Sequence, residues 1–348
     1  MGIEILNNKS YVIENLIEKS HENGIKIIGD HKDTRCMPHI WKNRVTSSGQ
    51  NGLYAHGEQC EPDIRGNVID SNRKAGIKFC EMACGHIGGT SKEDLGMFIK
   101  QSPLPQVNPS LTEKGADTIG GTLTSMKPGA KKNQPIGLVG PYIPPDLREL
   151  SPHIPKYNVK SFYNTNTISH NFNQGILLVE GSYATIIANK IEKNIKANVA
   201  FGGLGCGKTR VLYNLVDASK QEGVFVIEGE DGVTIEENEI VGNHDGIVLV
   251  ESKGLIKGNV IKENQRSGIL TANNTTAMLE ANIIEENWTA GILIKDPSLP
   301  EMKKNEVSKN YYQVQMEAHA KAKWEFYLRD NPKIIGNNEI PKATCAIF

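Results

Sequence analysis

An asparagine recurs ten times along this chain, at Asn15, Asn43, Asn67, Asn166, Asn189, Asn214, Asn238, Asn259, Asn282 and Asn305. Three residues before each stands an apolar side chain, from Val12, Ile40 and Ile64 through Tyr163 and Ile186 to Leu279 and Met302. Two residues after each stands isoleucine or valine, and five after each stands asparagine or serine. A glycine column completes the register at Gly24, Gly52, Gly76, Gly175, Gly223, Gly246, Gly268 and Gly291, with Asn198 taking one place. Asparagine replaces glycine best where φ is positive, so the column predicts left-handed backbone there.

In the C-terminal half the period is 21 to 25 residues. That is too short for a strand–helix–strand unit and too rich in Asn, Gly, Ile and Val for helical repeats. Alternations such as Gly246-Ile247-Val248-Leu249-Val250 read as short strands broken by Asn and Gly turns. One arrangement satisfies every column. Each period forms a coil of about three strands, and the coils stack so that each strand pairs with its copies above and below. The β-branched columns become interior stacks, and the asparagines become ladders in the turns. The predicted fold is all-β, a parallel β-helix of about ten coils, on the order of 50 Å long at ~4.8 Å per coil.

This register also decides the meaning of Gly202-Gly203-Leu204-Gly205-Cys206-Gly207-Lys208-Thr209, which matches the phosphate-cradling pattern G-x-x-x-x-G-K-[ST] letter for letter. Such a loop works between a strand and a helix. Here Val211 and Val216 fall in two core columns, so strand and turn follow the loop. Gly202, Gly207, Lys208 and Thr209 therefore read as a coincidental match, and no cofactor is expected.

The signature Asn-x-Ile-x-x-Asn-x-x-x-Gly-Ile, as in Asn259 to Ile269, resembles the right-handed β-helix repeats of the F-box β-helix proteins and the Shc SH2-binding protein family. The repeat type is shared with pectate-lyase-like and other sugar-acting enzymes. The resemblance covers nearly all of residues 1–316 outside one insertion. It implies the right-handed solenoid and transfers no catalytic residue, because the matching positions are core and ladder residues.

The chain divides into coils over 1–87, a Pro/Gly-rich insertion loop over 88–157, further coils of the same domain over 158–316, and a capping helix and tail over 317–348. The insertion's apolar patches, Leu95 to Ile99 and Ile136 to Val139, predict a partly packed loop with a binding role. In the last segment Trp324, Tyr327 and Leu328 share a helical face, which predicts a short helix that covers the last coil and buries Trp324. The first coil begins already in register, and an uncovered rung invites another chain to dock.

Net charge is −1 with a pI near 6.8, and the basic residues are scattered, so no nucleic-acid footprint is expected. No run approaches the ~18 apolar residues of a membrane span. Six cysteines without a tight framework, and no apolar leader after Met1, place the chain in the cytoplasm, with the cytoskeleton as one setting.

Acids recur five residues after the column glycine, at Glu180, Glu228, Glu251 and Asp296. Glu228 and Glu251 on adjacent coils are the candidate carboxylate pair for sugar chemistry or a divalent cation, with Lys253 and Lys295 close enough to neutralise a merely solvated turn. Cys60, Cys80, Cys84 and His86 form the weak metal candidate, with no standard finger spacing. Cys345-Ala346-Ile347-Phe348 fits C-a-a-X, which makes Cys345 a candidate prenyl anchor without the usual second membrane signal.

Aromatic content of 6% gives no evident stacking platform for sugars. The expectation is a non-enzymatic scaffold that binds protein partners in a larger assembly. The alternative is a lyase or glycosidase built on stacked carboxylates.

Overall fold

The computed structural model describes residues 2–91, 162–163, 165–230, 232–336 and 338–339. Three parallel sheets of twelve, ten and eleven strands run the length of the chain, and each successive strand in a sheet comes from the next coil. One period illustrates the rule: Ser267–Ala272 enters the first sheet, Met278–Glu280 the second and Ile283–Glu285 the third. In register, Ile247 pairs with Ile269, Ile256 with Leu279 and Ile261 with Ile284, and all six side chains are buried. One hydrophobic cluster continues from Ile5 to Ile334 down the axis. The β-branched columns fit because a pleated, tightly stacked interior favours stiff side chains.

The corner between the second and third sheets is made by two residues. The first adopts left-handed backbone, as in Glu14 (φ 58°), Tyr213 (φ 56°) and Glu237 (φ 55°). The second is the ladder asparagine. The Asn238 backbone N–H and its Nδ2 both donate to Asn259 Oδ1, at 3.0 and 2.9 Å, while Nδ2 also donates to the Val211 carbonyl at 2.8 Å. A buried turn would otherwise orphan these groups. The ladder extends one rung further than the repeat suggested, since Asn305 donates to Asn331 Oδ1 at 2.9 Å.

The glycine column has a different cause from the one its sequence suggests. Neither Asn198 nor the column glycines sit at positive φ. A Cβ at Gly76 would instead lie 2.7 Å from the Gly175 carbonyl oxygen, 2.7 Å from Ile168 Cγ2 and 2.8 Å from Asn171 Nδ2. Close approach of the next coil, not backbone conformation, demands the missing side chain.

The insertion leaves at the corner between the second and third sheets. Strand Cys84–Gly88 gives its coil's strand to the second sheet, and Thr90–Ser91 then pairs antiparallel with Phe162–Tyr163 before Asn166 resumes the ladder. Ile87, aligned with Ile64 and Ile186, therefore holds the core place that spacing gave to Tyr163. Residues 92–157 of the insertion and the tail with Cys345 lie outside the described residues.

The C-terminal element is a 3-10 turn over Ala318–Lys323 running into an α-helix over Trp324–Asp330. Its buried aromatic is Tyr327, 3% exposed, whose hydroxyl donates to the Pro300 carbonyl at 2.8 Å. Trp324 packs only partly against the core and Leu328 is 39% exposed. The tyrosine goes inside because its polar tip finds a partner there.

Candidate functional site

Outward positions of the second sheet flank each core residue on either side. In the N-terminal coils these positions carry Tyr11, His39, Trp41, Asp63, Arg65 and His86, on four consecutive rungs in register. The Tyr11 and His39 rings stack at 4.7 Å between centroids, and the His39 and Trp41 rings meet edge-on at 4.9 Å. Asp63 is the hub. Its Oδ2 accepts from Trp41 Nε1 at 3.1 Å and lies 3.3 Å from His39 Nδ1, and its Oδ1 accepts from Arg65 Nε at 2.6 Å. Both Asp63 and Arg65 are largely covered, their side chains 16% and 15% exposed. Burial alone raises the Asp63 carboxyl, but the His39 hydrogen bond and the Arg65 charge outweigh it and hold the group below the usual carboxylate range.

His86 stands beside this hub, on the rung after Asp63. Its Nε2 lies 3.3 Å from the Gly88 carbonyl and 3.2 Å from the Gly89 carbonyl, where the insertion begins. Carbonyls only accept, so Nε2 carries a proton, and in the neutral ring Nδ1 then keeps its lone pair. Burial, reinforced by Arg65 and opposed by Asp63, lowers the imidazole below its ordinary value. A neutral ring with an unprotonated nitrogen is the form a general base needs.

The other predicted residues fall elsewhere. Glu228 and Glu251 are exposed and adopt left-handed backbone, φ 52° and 50°, in the turn after the first sheet. Glu81 (φ 53°) and Glu180 (φ 56°) share that column, so the acids mark a turn type. A second carboxylate pair lies on the third sheet, where Glu192 and Asp217 are register partners. Burial raises Glu192 less than Lys190 and Lys193 lower it, whereas burial and the Glu192 charge together raise Asp217.

Gly202 ends a first-sheet strand, Gly203 and Gly205 take positive φ, and Cys206–Lys208 is a single 3-10 turn. The strand Arg210–Leu212 follows where a phosphate-binding loop would need a helix. Glu230 Oε2 accepts from the Gly205 amide at 3.0 Å, Lys208 Nζ sits 5.0 Å from the Tyr183 ring centre, and Thr209 is buried.

Cys60, Cys80, Cys84 and His86 do not converge. Cys60 bridges in register to Cys36, Cys80 donates to the Tyr54 hydroxyl at 3.0 Å, and Cys84 pairs with Tyr183. The hydrogen bond from Cys60 brings the Cys36 thiol down to about 7, and the same contact with burial pushes Cys60 up. A different set of metal-type donors does meet, namely Asp30, His56 and Glu81.

The aromatic and charged cluster went unread in the sequence, where the low aromatic content argued against a stacking platform. The signal was present in the positions four and two residues before the ladder asparagine. Those hold Tyr11, His39, Trp41, Asp63 and Arg65 in the first coils and Leu255, Lys257, Met278 and Glu280 later.

The family described as "right handed beta helix region" matches residues 1–84 and 204–340. The chain belongs to the right-handed β-helix family. Among solved structures, the A-module of the Azotobacter vinelandii mannuronan C-5 epimerase AlgE4 is similar at a TM-score of 0.46 and 10% identity, over 89% of this chain and 73% of that one. A double mutant of the periplasmic alginate epimerase AlgG is similar at 0.41 and 14%, over 90% and 71%. No curated protein matches the sequence. Among the described residues no helix is long and apolar enough to cross a membrane.

Proposed function

We propose that this β-helix is a carbohydrate-directed protein that holds a linear sugar chain along the outward face of the second sheet in its N-terminal coils. The observation that carries this reading is the cluster around Asp63. Three rings and three polar side chains share one face, and a scaffold's solvated surface has no use for a half-buried carboxylate tied to histidine, tryptophan and arginine. Aromatic faces suit the apolar faces of sugar rings, and Asp63 and Arg65 suit hydroxyl and carboxylate groups. Neutral His86 supplies an acceptor for a hydroxyl proton, so the site combines binding groups with a base. The test is affinity electrophoresis of the full chain through gels of neutral and acidic polysaccharides. At least one polymer is expected to retard the chain, with Trp41→Ala and Asp63→Asn weakening retention about tenfold or more, a loss of about 1.4 kcal/mol. Unretarded migration through every gel overturns the reading.

A protein-binding role has one specific observation in its favour. The first coil exposes Leu6 (55%), Tyr11 (47%) and Leu16 (64%) together. Such a rung suits a stacked chain, and light scattering of the wild type against Leu16→Asp tests it: an assembly that Leu16→Asp dissolves supports the role, and a wild-type monomer removes it.

A further inference from the structure

Three side chains from successive coils meet on the turn that follows the first sheet. Asp30, His56 and Glu81 each offer one donor atom, and the three atoms lie within 4.8 Å of one another. His56 Nδ1 stands 3.3 Å from Glu81 Oε2 and 3.6 Å from Asp30 Oδ1. The shorter contact is a hydrogen bond, equal in length to the one between His39 and Asp63. Both separations are also close to a metal-donor geometry. Donors held about 2.0–2.1 Å from a tetrahedral ion are spaced about 3.3–3.4 Å from each other.

The local structure keeps this space open. Gly57 beside His56 is glycine for backbone reasons, φ 99° and a Cβ that would lie 2.5 Å from the Gly29 carbonyl oxygen, and the same bare position leaves room for Asp30 Oδ1. Glu81 takes the left-handed backbone common to its turn column, φ 53°, and its Oε2 reaches His56. His56 is fixed on the strand Leu53–His56, in register with Ile28 below and Cys80 above. Its side chain is 15% exposed, whereas those of Asp30 and Glu81 are 54% and 59% exposed, so an ion would have protein on one side and water on the other.

We propose that Asp30, His56 and Glu81 form a binding site for a divalent transition ion of the zinc class, with the fourth position open to water. Two carboxylates and one imidazole match a doubly charged ion. The imidazole favours zinc over calcium or magnesium, which take oxygen donors. Three protein donors leave the coordination incomplete in the manner of a working rather than a purely structural site. Cys80 stays outside the set, since its thiol is bound to the Tyr54 hydroxyl at 3.0 Å. The site lies on the turn after the first sheet and stands independently of the sugar reading.

The experiment titrates zinc chloride into the chelator-stripped full chain in competition with a chromophoric chelator. One ion per chain is expected, with His56→Ala and Glu81→Gln each weakening binding at least about tenfold, or 1.4 kcal/mol, and Cys80→Ser leaving it unchanged. Cobalt substitution of the wild type gives a second readout that needs no variant to fold: intense visible bands of four-coordinate cobalt are expected. Undiminished zinc binding by His56→Ala, equal competition by calcium, or a purely six-coordinate cobalt spectrum overturns the proposal.

Discussion

The side chain of Asn198 fills the gap that Ser219 leaves in the second asparagine ladder. Asn194 Nδ2 donates to Asn198 Oδ1 at 2.8 Å, and Asn198 Nδ2 donates to Asn243 Oδ1 at 3.1 Å, bridging past the rung where serine is too short. Ser219 turns its hydroxyl to the Gln221 and Glu222 carbonyls instead, at 2.9 and 2.7 Å. Asn198 and Ser219 are thus one compensated pair. Asn198→Gly alone should cost about 1–3 kcal/mol, because it strips a buried amide of its partner. Ser219→Asn alone should cost a similar amount by crowding Asn198. The double variant restores the regular column and should recover most of the loss. Urea unfolding of all four proteins gives the coupling energy, and strict additivity would show that the pair is independent.

The glycine column makes a second prediction, in which two glycines fail for different reasons. Gly76→Ala drives a Cβ into backbone of the next coil, 2.7 Å from the Gly175 oxygen, and should destabilise by about 3 kcal/mol. Gly203 has no atom within 4 Å of such a Cβ but sits at φ 82°, so Gly203→Ala should cost only the left-handed penalty of about 1–2 kcal/mol. Gly203→Asn should recover part of that cost, while Gly76→Asn should be worse than Gly76→Ala. Urea midpoints for the four variants check the ordering.

How much was legible follows from what repeats. Core columns such as Ile235, Ile256 and Leu279 were readable because each coil imposes the same steric demand, and the ladder asparagines because each orphaned turn needs the same amide. The insertion defeated the spacing at one point and gave Ile87's place to Tyr163. The column glycines were found, but their cause was not, since sequence does not separate positive φ from close approach. Sites were harder. Asp30, His56 and Glu81 sit at different offsets from their ladder asparagines, so no column joins them. Tyr11, Trp41 and Asp63 occupy outward positions where most residue types are tolerated, and only the register shows that they share a face.

The carboxylates on the third sheet give a prediction of opposite sign to most substitutions. Burial and then the neighbouring Glu192 raise Asp217 above the ordinary carboxylate range. A group raised on folding is favourable only while protonated. Its contribution is intact below the unfolded value of about 3.9 and is lost as pH rises through the folded one. Asp217→Asn removes the repelled charge, so at about pH 7 it should stabilise the protein, by on the order of 1 kcal/mol. The advantage should vanish as pH falls toward about 4. Urea unfolding across that range checks both halves, and a variant less stable than wild type at neutral pH would show that the charge is compensated.

His86 supplies a pH dependence near neutrality. Burial, and then Arg65, hold its imidazole below the ordinary value of 6.5. The unfolded chain therefore binds a proton at His86 before the folded one does, and stability must rise with pH across that interval. The stabilising difference is complete above about 6.5 and is lost as pH falls from there through the lower folded value. His86→Gln keeps a side-chain N–H for the Gly88 and Gly89 carbonyls but has no titrating group. The variant should be slightly less stable than wild type at about pH 7.5 and should lose less stability on acidification to about pH 5. Urea midpoints at half-unit steps for the two proteins isolate this residue, because every other histidine is common to both. Parallel curves would mean that His86 is solvated and protonates freely, and the neutral base beside Asp63 would then have to be given up.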